Sequence, residues 1–198
     1  MGFIVRLKIA QVGEPVLRQV ARPLTLEEIA SNEIQKLVVD MQETMRDAPG
    51  VGLAAPQVGL ALQLAVIEDR EEYLKDIPSD QLAERERRPV AFRVIINPKI
   101  VQTTDTKAEF FEGCLSLAGF SAIVPRACGV RVECLDERGQ PETIGATGWY
   151  ARILQHEIDH LQGNLYIDRM HSRTFTSLDN WNRFSKGKPI HEAVGAPR

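Results

Sequence analysis

The sequence predicts an α+β fold in which antiparallel or mixed β-sheets surround one central helix. Three observations carry this expectation. Short apolar and β-branched runs recur from Leu60 to Ile67, from Phe92 to Ile96 and through 121–135, bounded by Gly or Asn-Pro, and read as strands. An amphipathic helix precedes them. A late helix from Trp149 onward spreads Ile153, Leu154, Ile158 and Leu161 over more than one face, the pattern of a helix buried between sheets.

Each element has a local cause. Thr25-Leu26-Glu27-Glu28 matches a capping box, with Leu24 and Ile29 placed as a hydrophobic staple, so a short helix starts there. Ile34, Leu37, Val38, Met41 and Met45 then recur at helical spacing until Asp47-Ala48-Pro49-Gly50, which sets a helix over about 32–47. Glu137-Arg138-Gly139-Gln140 reads as a hairpin turn. The stretch Asp69 to Arg88 is dense in charge and holds Pro78, so it reads as a solvated loop, with room for a helical turn, in preference to a binding patch. Thr147-Gly148 can begin the late helix and Gly163 can end it as a C-cap.

The chain as a whole, 198 residues, suits one domain over 1–198, with 176–198 read as a C-terminal tail. A net charge of -3 gives no basic excess for gripping nucleic acid. Three cysteines, an odd number without paired spacing, argue against a disulfide framework and fit a reducing compartment such as the cytoplasm. The N-terminus MGFIVRLKIA lacks a signal-peptide pattern, and no apolar run approaches the roughly 18 residues a membrane helix needs.

The late helix carries the chemistry. In Gln155-His156-Glu157-Ile158-Asp159-His160, the two histidines are separated by about 40° of rotation and one turn of rise, so both imidazoles can reach one ion. Glu157 is turned by about 100° from His156, which suits a base aimed at a water on that ion better than a third ligand. The alternative is a pair of core histidines satisfied by hydrogen bonds, but His-Glu-x-x-His arises by chance in roughly one per cent or fewer of chains this size. A catalytic ion needs three protein ligands and an open position, whereas a structural one needs four.

The third ligand decides the class. Downstream, Asp168 and His171 are the candidates, but the extended metalloprotease pattern fails because Leu161 to Tyr166 holds no histidine. Upstream, Cys114 in Glu112-Gly113-Cys114-Leu115-Ser116 is favoured, with Cys128 in reserve and Cys134 read as a core residue of an alternating run. One thiolate with two imidazoles suits iron(II), zinc, nickel or cobalt and excludes magnesium or calcium. Trp149 and Ile153, one or two turns before the histidines, are placed to line an apolar pocket.

Three separated motifs now converge: Gly50-Val51-Gly52-Leu53-Ala54-Ala55-Pro56-Gln57, Glu112 to Ser116, and Gln155 to His160. Together, from about residue 8 to 175, they resemble the peptide deformylase family. That family removes the formyl group from the N-terminal formyl-methionine of nascent polypeptides, with ferrous iron as the native metal in many members. The resemblance makes Cys114, His156 and His160 the ligands, Glu157 the general acid and base, and Gln57 with the backbone N–H of Leu115 the oxyanion donors. It also places substrate against Glu112 and Gly113, and Arg126 near the substrate or the Glu112 carboxylate. In this context Val51 and Gly52 suit a peptide lying as an added strand, because glycine lets another backbone approach closely.

The chain departs from the usual bacterial pattern at Ala118-Gly119-Phe120, where most bacterial members carry Pro-Gly. There, and at Ser172 to Thr176, it is similar to the subgroup that includes mitochondrial enzymes. With Met1 first and no Arg- and Ser-rich transit peptide, the expectation is a bacterial cytoplasmic protein, a mature organelle enzyme being the alternative. The polar segment Asn180 to Arg198, with Trp181 and Phe184, reads as a loosely ordered tail, against a homodimer partner or the ribosome as its docking surface. Two other functions compete: a zinc peptidase with its third ligand downstream, and a structural metal module with a fourth protein ligand.

Overall fold

A computed structural model of the chain describes residues 5–188. In chain order the regular elements are α1 (Leu26–Ile29), α2 (Asn32–Asp47), β1 (Gly52–Ala54), β2 (Leu64–Asp69), α3 (Glu71–Leu74), α4 (Ser79–Glu84) and β3 (Val90–Thr103). They continue with β4 (Lys107–Gly113), β5 (Phe120–Ala127), β6 (Gly129–Leu135), β7 (Pro141–Thr147), α5 (Gly148–Leu161), β8 (Thr176–Ser177) and α6 (Leu178–Phe184). Two antiparallel sheets form, one in the order β1-β2-β3-β6-β7 and one in the order β4-β5-β8. α5 packs against strands of both, the central position expected of a helix apolar on more than one face.

The larger sheet is covered on both sides, which explains why β2 is a continuous buried run. Ala65 and Ile67, with Ile95 of β3 and Val132 of β6, face Ile153, Leu154, Ile158 and Leu161 of α5. Their alternates Leu64, Val66, Val94 and Ile96 face Ile34, Val38, Met41 and Met45 of α2. The period of two along each strand therefore divides one sheet between two helices. Met41 and Met45 have no exposed surface, and burying each stabilises the fold by about 1.5–3 kcal/mol. Ala122 and Val124 of the smaller sheet pack on Leu17, Leu165 and Tyr166.

The caps follow the sequence. Thr25 and Glu28 form the reciprocal capping box, and the Ser31 hydroxyl accepts from the Ile34 N–H to start α2. The staple residues Leu24 and Ile29 are buried together. The hairpin turn lies between β6 and β7 as expected, with the Asp136 carboxylate accepting from the Arg138 and Gln140 N–H groups.

Four expectations are corrected. The strand expected from Leu60 begins only at Leu64, after a turn in which Leu62 bridges Arg22. β3 does not stop before Asn97-Pro98. The ladder instead shifts register there, Asn97 takes φ +51°, and its side-chain amide pairs with both backbone groups of Leu24 at 2.8 and 2.9 Å. A bulge is where a strand tolerates proline. The run 121–135 is two strands, interrupted where the Cys128 N–H turns to Thr106.

The fourth correction concerns 69–88 and the tail. Asp69 is fully buried and takes a two-pronged bond from Arg87 at 2.8 and 2.9 Å, which ties the supposed solvated loop to the sheet. Gly148, with φ +56°, lets that loop lie against the start of α5: a β-carbon there would stand 2.4 Å from the Glu86 Cβ. The tail expected over 176–198 instead forms β8 and α6 through Phe184, and residues 189–198 fall outside the described part.

Candidate metal centre

α5 presents His156 and His160 on one side, and the turn after β4 brings Cys114 to them. Their ligand atoms all lie within 4.8 Å of one another, and Cys114 Sγ stands 3.3 Å from His160 Nε2. Among the described residues this is the one group of three or more His, Cys, Asp or Glu that could hold a metal ion. The rejected ligands are engaged elsewhere. Asp168 is paired with Arg18 and accepts from the Leu165 N–H, and His171 bonds Glu109 at 3.0 Å. Cys128 is outside the group, and Cys134 is buried in the β6–β7 ladder, where burial pushes its thiol up to about 11.

The residues fit an ion. His156 Nδ1 bonds Glu112 Oε2 at 3.0 Å, which fixes the ring and leaves Nε2 for coordination. Burial lowers the basicity of His160 and the neighbouring His156 lowers it further, so its ring stays neutral as a ligand must. Burial also acts against charge on His156, yet hydrogen bonds to Cys114 and Glu112 hold its proton well above the usual imidazole range.

Behind the histidines lies a buried ionic network. Glu112 receives Arg126 through Nε and Nη2, each at 3.0 Å, and Arg152 Nη1 at 2.6 Å. Its carboxyl lies far below the ordinary range because His156 and Arg126 outweigh the cost of burial. Arg126 also bonds Asp159, which Arg169 holds at 2.7 Å through two nitrogens. Of the two places expected for Arg126, against substrate or against the Glu112 carboxylate, the structure shows the second. It is buried behind the site, where two buried carboxylates share its charge.

A cavity of about 630 Å³ opens in front, lined by Val51, Gly52, Gln57, Glu112, Gly113, Cys114, Leu115, Trp149, Ile153, His156 and Glu157. Such a volume is in the ordinary range for a small-molecule or peptide site. Gln57 is buried, and its carbonyl accepts from the Ala54 N–H at 2.9 Å. That bond turns its amide nitrogen toward Cys114 Sγ at 3.5 Å and Ser116 Oγ at 3.2 Å, so the donor faces the centre. Leu115 opens a 3-10 turn directly after Cys114. Glu157 is buried with Oε2 lacking a partner, and burial pushes its carboxyl up to about 7 against the pull of His156 and Arg126.

Gly52 serves a purpose beyond the one expected of it. A β-carbon there would lie 2.1 Å from Glu157 Oε1, so the missing side chain makes room first for the carboxylate. Gly50 similarly admits the Leu115 side chain, at 2.8 Å from its absent Cβ.

Sequence reasoning missed Arg152 and Arg87. Arg152 bonds Glu112, the Val124 carbonyl and the Ala108 carbonyl, and both arginines line the cavity. With Arg85 they surround Trp149, their guanidinium carbons lying 5.2–5.8 Å from its ring centroid. The available signal was Arg152 itself, a charged residue one turn before His156 on a helix otherwise buried.

An α+β protein with a candidate two-histidine, one-cysteine metal centre on a His-Glu-x-x-His helix is the class that fold and site define. The chain belongs to the peptide deformylase family: the model of that family, described as polypeptide deformylase, matches residues 6–175. It is 49% identical over 172 residues to peptide deformylase 1A, chloroplastic, of Solanum lycopersicum, covering 87% of this chain and 62% of that one. It is 43% identical over 170 residues to the mitochondrial peptide deformylase of Homo sapiens, covering 86% and 70% respectively. The chain thus spans somewhat under two thirds of the tomato relative's length. The Met-Ala-Ser-bound crystal structure of a class I type b peptide deformylase from Acinetobacter baumannii superposes with a TM-score of 0.75 at 32% identity, over 85% of this chain and all of that one. Relatives from Streptomyces and Bifidobacterium, at 45% identity, show that the likeness is shared with bacteria as well as organelles.

Proposed function

We propose that this protein is a metal-dependent hydrolase that removes the formyl group from N-formyl-methionyl peptides and releases formate. The observation that carries the reading is the convergence of Cys114, His156 and His160, with Glu157 and Gln57, on one cavity. Cys114, His156 and His160 would hold one divalent ion, iron(II) by preference, with zinc, nickel or cobalt as substitutes for the same donor set. Bound there, the ion lowers the pKa of a water to near neutrality.

Glu157 takes the proton from the attacking water and delivers it to the departing amine nitrogen as the formyl C–N bond breaks. The Gln57 amide and the Leu115 N–H donate to the formyl oxygen as negative charge builds on it. An uncharged donor leaves Glu157 free, whereas a cation in that place would pair with it. Val51, Gly52 and Gly113 receive the peptide backbone between the free edge of β1 and the end of β4, and Trp149 and Ile153 take the methionine side chain.

Among the described residues no helix is long and apolar enough to cross a membrane. The place of action we assign is the cytoplasm, with an organelle as the alternative suggested by the chloroplastic and mitochondrial relatives. The nascent chain is the partner; docking on the ribosome or a second copy would be additional. The test is anaerobic loading with ferrous iron followed by formate measurement on a formyl-Met tripeptide. Formate release at one equivalent per free amine is expected, and bound metal without formate sinks the reading.

A further inference from the structure

The segment beyond Phe175 lies outside the family's match, yet it reaches the cavity. Its β8 pairs with the start of β5, Phe120 opposite Ser177 and Ser121 opposite Thr176. The Leu178 N–H then donates to the Gly119 carbonyl at 2.9 Å, and the Trp181 ring meets the edge of Phe111 at 6.1 Å. Phe111, Gly119, Phe120 and Leu178 all line the same cavity as His156 and Glu157. The segment is therefore a wall of the site.

That wall is apolar and open. Phe120, Phe175 and Leu178 are 42%, 41% and 41% exposed, and the rings of Phe120 and Phe175 stack in parallel at 5.1 Å. Three adjacent large apolar groups held this far in water mark a binding surface more often than a plain exterior. The register says what would lie there. Gly113 of β4 stands opposite Ser121 of β5, and Gly113 and Phe120 line the same cavity, so a peptide extended along Gly113 shares that cavity with the Phe120 side chain. Its first residue occupies the metal centre and its following residues run out over the shelf.

We infer that Phe120 and Leu178, with Phe175 backing the Phe120 ring, form a shelf that selects apolar side chains in the residues following the formyl-methionine. This rests on the deformylase reading and adds to it a specificity element supplied by the C-terminal segment. None of the three side chains can donate, accept or carry charge, so the shelf favours leucine over serine by buried area alone.

The experiment compares formyl-Met-Leu-Ser and formyl-Met-Ser-Leu with formyl-Met-Ser-Ser on the iron-loaded protein. One of the two leucine peptides should exceed the serine peptide by about fivefold in kcat/KM, mostly through KM. Leu178→Ser and, separately, Phe120→Ser should bring that ratio to within about twofold. In parallel, calorimetric titration of the products Met-Leu-Ser-amide, Met-Ser-Leu-amide and Met-Ser-Ser-amide reads the same preference without turnover, and thermal melting establishes that each variant is folded. Absence of formate from all three peptides overturns the deformylase reading, while the titrations still decide the shelf. A preference missing in the parent protein, or surviving both folded variants, overturns the shelf. So does a dimer in sedimentation that Leu178→Ser disperses, because the patch would then be covered by a second copy.

Discussion

The carboxylate of Glu157 occupies the space where Gly52 would carry a side chain, with Glu157 Oε1 2.1 Å from the position of an added β-carbon. An edge-strand glycine and a helix glutamate, 105 positions apart, are thereby a single device. Gly52→Ala should displace the whole Glu157 side chain, since the added β-carbon would also stand 2.5 Å from its Cδ and 2.8 Å from its Cγ. A displacement of an ångström at a proton-transfer group costs about 100-fold in rate. The expected result is kcat lowered by about that factor, with full iron content at a temperature where the variant is folded. Unchanged turnover in Gly52→Ala would show that Glu157 is not the base.

The roles assigned to Glu157 and Cys114 separate in the same assays. Glu157→Ala should retain the ion and lose about 100- to 10,000-fold in formate release. Cys114→Ala should lose the ion, because two imidazoles alone hold iron(II) weakly. Chelation of the parent protein should abolish turnover, and ferrous iron under anaerobic conditions should restore it. Cys114→Ala with full metal and activity would reinstate a downstream ligand and the peptidase reading.

The candidate ligands were readable because helical spacing places side chains in space: positions 156, 157 and 160 on one helix mark two candidate ligands and a candidate base before any fold is known. Cys114 could be favoured but not proved by spacing, since its approach depends on how β4 ends against α5. The capping box, the staple and α2 were legible for the same local reason. What stayed hidden was non-local. The bulge at Asn97-Pro98 exists because Asn97 bonds Leu24, 73 residues away. Nothing in the composition of 69–88 announces that Arg87 reaches Asp69 and Trp149.

Arg152 gives a test of the network behind the ligands. It bonds Glu112 at 2.6 Å, and Glu112 in turn orients His156. Arg152→Met keeps much of the volume but leaves the Val124 and Ala108 carbonyls without this donor and Glu112 with Arg126 and His156 alone. A loss of about 3 kcal/mol is expected, or roughly 6–12 °C in Tm. A positioning role adds a second effect that destabilisation does not produce: iron affinity weaker by about 10- to 100-fold at a temperature where the variant is folded. Destabilisation with unaltered affinity would make Arg152 structural only.

The pair Arg46–Glu68 links α2 to the end of β2 and sets a pH dependence away from the metal centre. Arg46 donates through Nε at 2.7 Å and Nη2 at 2.9 Å, and these bonds hold the Glu68 carboxyl below its ordinary 4.5 despite partial burial. A carboxyl depressed in the folded state contributes stability that is present above about pH 4.5 and is lost as pH falls through the lower folded value. Glu68→Gln cannot release that proton on folding or take it up on unfolding. Between pH 6 and pH 3, the urea midpoint of the parent should therefore fall further than that of Glu68→Gln. Both carry the remaining carboxyls, so the difference between the two curves isolates this pair. Parallel curves over that range would mean that Arg46 and Glu68 are too well solvated for their bond to contribute.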